Sequence, residues 1–152
     1  QAIANQSYLS FDPNYRDALW GNQTDVFIQK CEPFLQQAHL VKLSEEEAML
    51  LTKTNQLSDA LQQLEKYQIP IVTITLGKKG TLLVQGKQQQ IIPSITVNAI
   101  DTTGAGDAFV AAMLYQVSKQ LSEDILWHQW CDMVQFANKI AAYICSPDNS
   151  EQ

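Results

Sequence analysis

Short runs of apolar and β-branched residues alternate along the chain with longer stretches in which apolar positions recur every three or four residues. That alternation marks βαβ units and predicts an α/β fold with a mostly parallel sheet flanked by helices. Residues 8–11 read as a strand closed by the turn formers Asp12, Pro13 and Asn14, after which Thr24 is placed to cap a helix carrying Val26, Phe27 and Ile28. Residues 40–43 read as a second strand. Ser44, followed three residues later by Glu47 and then by Ala48, Leu50 and Leu51, has the form of a capping box. Ser58 is expected to cap another helix with Leu61 and Leu64 inward. Residues 71–76 are continuously apolar or Thr, as in a strand buried on both faces, and too short for a helix. The bend Gly77-Lys78-Lys79-Gly80 feeds the best hairpin candidate, Thr81–Gln85 and Gln88–Ile92 about the pair Gly86-Lys87. A helix is expected from Asp107. A last one, capped by Ser122, places Ile125, Leu126, Met133, Val134, Ala137, Ile140, Ala141 and Ile144 near one stripe.

Composition narrows the function classes. At 152 residues the chain suits one domain, of a size that buries about 70% of its unfolded surface. A formal charge of −6 with no run of Lys or Arg gives nucleic acid and anionic membrane nothing to recognise. The longest apolar stretch, residues 108–115, falls far short of the roughly 20 residues of a membrane span. A soluble, cytoplasmic protein is expected. Cys31, Cys131 and Cys145 are odd in number and widely spaced, which suits buried thiols in a reducing compartment. His39 and His128 have no acid at catalytic spacing, and Trp20, Trp127 and Trp130 read as core or interface residues. The chain begins without Met in a strand-like segment, as though upstream sequence were missing.

The stretch Asp101-Thr102-Thr103-Gly104-Ala105-Gly106-Asp107, running into the apolar helical pattern from Ala108, carries the chemistry. Gly104 and Gly106 let the backbone turn tightly near a ligand, so the N–H groups of Ala105, Gly106 and Asp107 can hold a phosphoryl group. An anion site gains nothing from a carboxylate unless that carboxylate has its own task, and for Asp107 the task is general-base catalysis on a hydroxyl. Ordinary helix capping and complementation of the helix dipole are the competing readings. Two glycines cost more conformational entropy than capping requires, which favours function. A dinucleotide fingerprint lacks its third glycine, and no G-x-x-x-x-G-K-[ST] loop is present.

Four stretches in fixed order, Ser10-Phe11-Asp12-Pro13-Asn14-Tyr15-Arg16, Val41-Lys42-Leu43-Ser44-Glu45-Glu46-Glu47, Thr75-Leu76-Gly77-Lys78-Lys79-Gly80 and Asp101 to Asp107, together resemble the ribokinase-like (PfkB) carbohydrate kinases. The first looks most like the fructokinase branch, and Gln135-Phe136-Ala137-Asn138 is a weaker fifth match. The resemblance covers only the C-terminal half of such an enzyme, here residues 1–146 with 147–152 as a polar tail. It implies ATP-dependent phosphorylation of a sugar primary hydroxyl, fructose first, with ATP and Mg²⁺ as cofactors and a monovalent cation such as K⁺. By the same resemblance Ser44, Thr75, Leu76, Gly77, Gly80 and Asn138 would face the nucleotide, although a lone Asn on a helix is ordinarily solvated. Asn14 and Arg16 would contact substrate or phosphate, with a surface ion pair as the plain alternative for Arg16. Glu47 would organise Mg²⁺ and its waters, although its capping box alone explains it. Asp101 and Thr103 would help a monovalent-cation site, an Asx-type turn being the alternative. Where ribokinases carry Asn this chain carries Ser44, as fructokinase-like members do. The family continues past the last helix into a Gly-Ala segment, whereas this chain runs Cys145-Ser146-Pro147-Asp148. The implied partners are a small sugar and ATP, and the full-length protein is compatible with a homodimer. Competing functions are a noncatalytic nucleotide-binding fragment or remnant and a kinase for another sugar such as ribose or ketodeoxygluconate; a Rossmann dehydrogenase fails on the missing glycine.

Overall fold

The computed structural model describes residues 7–97, 102–120 and 124–146. In chain order its main elements are β1 (Ser10–Phe11), α1 (Asp17–Trp20), α2 (Thr24–Leu35), β2 (Leu40–Ser44), α3 (Glu45–Thr52), α4 (Leu57–Leu64), β3 (Ile71–Thr75), β4 (Thr81–Gln85), β5 (Gln88–Ile92), α5 (Ala105–Ser118) and α6 (Trp127–Ile144). The strands form one sheet in the order β1-β2-β3-β4-β5. β1 and β2 are parallel, with Ser10 opposite Leu40 and Phe11 opposite Val41. The two-residue turn at Gly86 and Lys87 makes β4 and β5 an antiparallel pair. The sheet is mixed and helix-flanked, as the α/β reading anticipates, and the hairpin has the expected bounds.

The described chain divides into two compact units. One takes the residues through Ile74 together with Val84–Gln89; the other takes Thr75–Leu83 and the residues from Gln90 onward. In the first unit, α2 turns Phe27, Cys31 and Leu35 inward, one side chain per turn. β2 and β3 supply Val41, Leu43 and Ile74, all fully buried, and α3 packs on β2, α2 and α4. Aromatic rings tie the loops to this core: Tyr15 and Trp20 meet Phe27 edge-on at 4.8 and 5.0 Å, and Phe11 stacks on Phe34 at 5.1 Å. Such pairs add about 0.5–1.5 kcal/mol each beyond their burial. The Thr73 hydroxyl, also fully buried, donates to the Val41 carbonyl at 3.4 Å, so the one polar group of the β3 interior is satisfied. His39 accepts the Leu9 N–H through Nδ1 at 2.9 Å, a structural tie that matches its lack of a catalytic partner.

In the second unit, α5 packs along α6. Phe109, Ala112, Met113 and Val117 from α5 meet a stripe of Trp130, Met133, Val134, Ala137, Asn138 and Ala142 from α6. Phe109 is 1% exposed, and burying a side chain of that kind contributes roughly 1.5–3 kcal/mol. Gln116 ties the helices by donating to the Met133 carbonyl at 3.0 Å.

Several expected helix starts differ from those observed. Thr24 is the first residue of α2 rather than its cap, because its hydroxyl pairs with the Tyr15 hydroxyl at 3.3 Å. Ser58 lies inside α4, whose preceding residue Gln56 makes no side-chain cap. Ser122 falls outside the described residues; α6 starts at Trp127, where the Gln129 side chain accepts the Leu126 N–H at 2.8 Å. Ile125 and Leu126 therefore precede the helix, and Leu126 and Ile144 are exposed instead of joining the stripe. α5 starts at Ala105, two residues ahead of Asp107, because Gly104 takes φ 82° and turns the chain into the helix. Cys31 and Cys145 are buried thiols, whereas Cys131 is only half-buried. Among the described residues no helix is long and apolar enough to cross a membrane.

Candidate functional site

The first unit concentrates its polar side chains where β1 and β2 end. The Asp12 carboxylate accepts the Asn14 N–H at 3.2 Å, an Asx turn that sets Asn14 at φ 48°. Lys42 lies 3.6 Å from the other Asp12 oxygen, with both side chains mostly shielded from water. Burial pushes the Asp12 carboxyl above the usual carboxylate range, a push that Lys42 opposes and Glu47 reinforces. Glu47, only 8% exposed, is the centre of the cluster. One of its oxygens accepts the Ser44 N–H at 2.8 Å and the other accepts the Tyr15 N–H at 2.7 Å, while Ser44 Oγ accepts the Glu47 N–H at 3.1 Å. The capping box is present as expected, and it does more than start α3. It clamps the Asp12–Arg16 turn to the end of β2, so that Asn14 and Arg16 stand exposed just beyond a fixed backbone. Arg16 makes no ion pair among the described residues. Cys31 beneath the cluster is pushed up to about 11, first by burial and then by Glu47.

The second unit holds a cavity of about 460 Å³. Of the residues expected at a nucleotide, Thr75, Gly77, Gly80 and Asn138 line it, together with Ala105 and Gly106 from the start of α5. Leu76 is not in the lining; its N–H bonds the Gly80 carbonyl at 2.8 Å and closes the Gly77–Lys79 turn. Gly80 lines the cavity, and its backbone also lies close to the chain that follows β5. At φ 105° a Cβ there would collide with the Ile92 carbonyl oxygen, so a bare Cα is required by this close approach to the protein's own chain. Asn138 is 5% exposed, which corrects the solvated reading. Its Oδ1 accepts the Thr81 hydroxyl at 2.6 Å and its Nδ2 donates to the Ile92 carbonyl at 3.0 Å.

The mouth of α5 has no side-chain cap. Ala105 and Ala108 donate to the carbonyls of Thr102 and Gly104 at 3.2 and 2.9 Å, and the N–H groups of Gly106 and Asp107 meet no protein acceptor among the described residues. Open donors backed by a helix dipole suit an anion. The Asp107 side chain is exposed in this first turn and makes no ion pair among the described residues. Thr103 sits exposed in the preceding turn, and Asp101 lies outside the described residues. Lys78, Ser94–Val97 (residues 94–97) and the small Ala141 and Ala142 also line the cavity and were not singled out from sequence. Among the described residues Lys78 is the one charged side chain in the lining, and its place in a Gly-x-x-Gly loop was the available signal. Among the described residues no three His, Cys, Asp or Glu side chains cluster to hold a metal.

Comparison with known proteins gives a consistent result. The model of the pfkB family carbohydrate kinases matches residues 1–150. A fructokinase of Vibrio alginolyticus is 35% identical over 149 residues, which is 91% of this chain and 48% of that protein. The crystal structure of fructokinase from Vibrio cholerae O395 in its fructose-, ADP- and calcium-bound form superposes with a TM-score of 0.86 at 38% identity, over 95% of this chain and 48% of that one. Aminoimidazole riboside kinase from Salmonella enterica gives a TM-score of 0.84 at 28% identity, over 95% and 48%. The chain thus spans about half the length of the relatives it matches.

Proposed function

Because the chain belongs to the pfkB family carbohydrate kinases, we propose that the full-length protein transfers the γ-phosphoryl of ATP to a primary hydroxyl of a sugar, fructose first. The observation that carries the reading is the cavity in the second unit, lined by the start of α5, with an exposed carboxylate at Asp107 in the same helical turn. Phosphoryl transfer depends on positioning and charge stabilisation more than on covalent chemistry. The α5 mouth, turned by Gly104 and offering the open N–H groups of Gly106 and Asp107 while that of Ala105 is spent on the Thr102 carbonyl, is the anion hole of this proposal, at about 10²–10³ in rate per donor. Asp107 takes the proton of the acceptor hydroxyl as its oxygen attacks phosphorus, and the proton rests on the carboxylate as ADP leaves. Thr75, Gly77, Gly80 and Lys78 form the nucleotide loop; Asn14 and Arg16, held by the Glu47 clamp, contact sugar or phosphate.

Mg²⁺, when bound, would neutralise phosphate charge; such an ion keeps several waters and needs few protein carboxylates, and Glu47 is the residue that would hold those waters. Both Glu47 oxygens already accept backbone N–H groups, so their remaining lone pairs suit the waters of such an ion rather than the ion itself. Asp101 and Thr103 are assigned to a monovalent cation such as K⁺. A cytoplasmic protein acting on a small sugar follows from the same reading. The relatives called fructokinases favour fructose, whereas the riboside kinase leaves room for another acceptor.

The test is ADP release by the full-length protein with ATP, Mg²⁺ and a panel of fructose, ribose and ketodeoxygluconate. Sugar-dependent ADP with fructose as the best acceptor is expected. ATP binding without ADP from any sugar would overturn the kinase reading and leave a noncatalytic nucleotide-binding protein.

A further inference from the structure

Resting on the nucleotide reading of the cavity, we infer that Asn138 and Thr81 are positioning residues for the nucleotide base: they fix the wall that follows β5 instead of touching the base themselves. The amide of Asn138 has little left to offer a ligand. Oδ1 takes the single hydroxyl hydrogen of Thr81 at 2.6 Å, and Nδ2 donates to the carbonyls of Ile92 at 3.0 Å and Pro93 at 3.4 Å. The carbonyls of Ile92 and Pro93 can only accept, so the amide must turn Nδ2 toward the wall and present Oδ1 to the Thr81 hydroxyl, which is 1% exposed and completes the arrangement by donating its hydrogen.

Gly80 secures the same point from another side, since its bare Cα lets its backbone press against Ile92, Pro93 and Ser94. Past Ile92 the strand has ended, and Pro93 supplies no N–H, so no ladder holds residues 94–97 in place. Those residues nevertheless line the cavity, and the N–H groups of Ile95, Thr96 and Val97 meet no protein acceptor among the described residues. Main-chain donors and acceptors at a cavity wall are what distinguish adenine from guanine, whose edges present reversed hydrogen-bonding patterns. A site built on such bonds rejects the wrong pattern only if the wall stays in register. The register here depends on the carbonyls of Ile92 and Pro93, gripped by Asn138, and on the close contact of Gly80 with the same residues.

The test uses the full-length protein with Thr81→Ser, Thr81→Val and Asn138→Asp, measuring ATP and GTP affinity by calorimetry and kcat and KM for both nucleotides. Thr81→Ser keeps the hydroxyl and should match the wild type. Thr81→Val and Asn138→Asp should each weaken ATP binding about five- to tenfold, the worth of a buried hydrogen bond lost. Both should narrow the ATP-over-GTP preference and leave kcat at saturation within about twofold. Their double variant should be little worse than either alone, as for groups that act as a unit. The inference is overturned if Thr81→Val leaves ATP affinity and preference unchanged while Asn138→Asp abolishes binding, since Asn138 would then read the base directly. Variants that lose thermal stability with an unchanged ATP-to-GTP ratio overturn it too. A wild type that binds neither nucleotide overturns it together with the nucleotide reading, whereas ATP binding without ADP release sinks only the kinase.

Discussion

The two units present their candidate groups by opposite means. In the first, a buried carboxylate, Glu47, spends both oxygens on backbone N–H groups, and the residues offered to a ligand, Asn14 and Arg16, are ordinary exposed side chains beyond that clamp. In the second, the backbone itself is on offer at an uncapped helix mouth, and the side chains near it, Asp107 and Lys78, make no ion pair among the described residues. A clamp contributes to stability and aim, so damage to it spreads through the unit. A backbone cradle survives the loss of any one neighbouring side chain, so damage there is chemical and local.

The sharpest break of that contrast is Asp107→Asn in the full-length protein. Turnover should fall by about 10²–10⁴, the usual worth of a general base. ATP affinity by calorimetry should hold, and stability should drop by no more than about 0.3–1 kcal/mol, the value of a carboxylate in a first helical turn. Equal losses of turnover and affinity would make Asp107 part of the cradle and erase the difference between the units.

Glu47→Ala is expected to show the converse. Two backbone donors lose acceptors at roughly 1–3 kcal/mol each, so urea titration should show a loss of about 2–6 kcal/mol. Ser44→Ala, which removes only the acceptor for the Glu47 N–H, should cost about 0.5–2 kcal/mol. An unchanged urea midpoint with a shifted Mg²⁺ requirement would mean that Glu47 acts on the metal and not on the chain.

What the sequence made legible follows from the range of each signal. The hairpin and the Ser44–Glu47 box depend on residues two or three apart, and both stand where the pattern put them. That Glu47 also reaches back to Tyr15, across 32 positions, has no local signature. Residues 94–97 carry none either, because an irregular wall is defined by what holds it. The solvated alternative for Asn138 failed for a different reason: the residue lies four positions after Val134 and so on the same helical stripe, where polarity alone suggested solvent. Burial with every hydrogen bond met was the outcome that polarity alone could not forecast. Ser58 and Thr24 failed as caps because a capping residue type is common where no cap forms.

The smallest effect belongs to Lys78. It lines the cavity, whereas its neighbour Lys79 does not, and both are exposed, which makes them a matched pair. An exposed charge facing a phosphate is worth about 0.2–1 kcal/mol, so Lys78→Ala should raise the KM for ATP by only about 1.5- to fivefold with kcat unchanged. Lys79→Ala should do nothing measurable. Added salt should raise the wild-type KM toward that of Lys78→Ala, because screening at high ionic strength removes the same attraction. Equal effects at both lysines would reduce Lys78 to general surface charge. A loss of kcat at Lys78 alone would point the other way, to a side chain that takes part in the chemistry, and the cradle could no longer be described as backbone with replaceable neighbours.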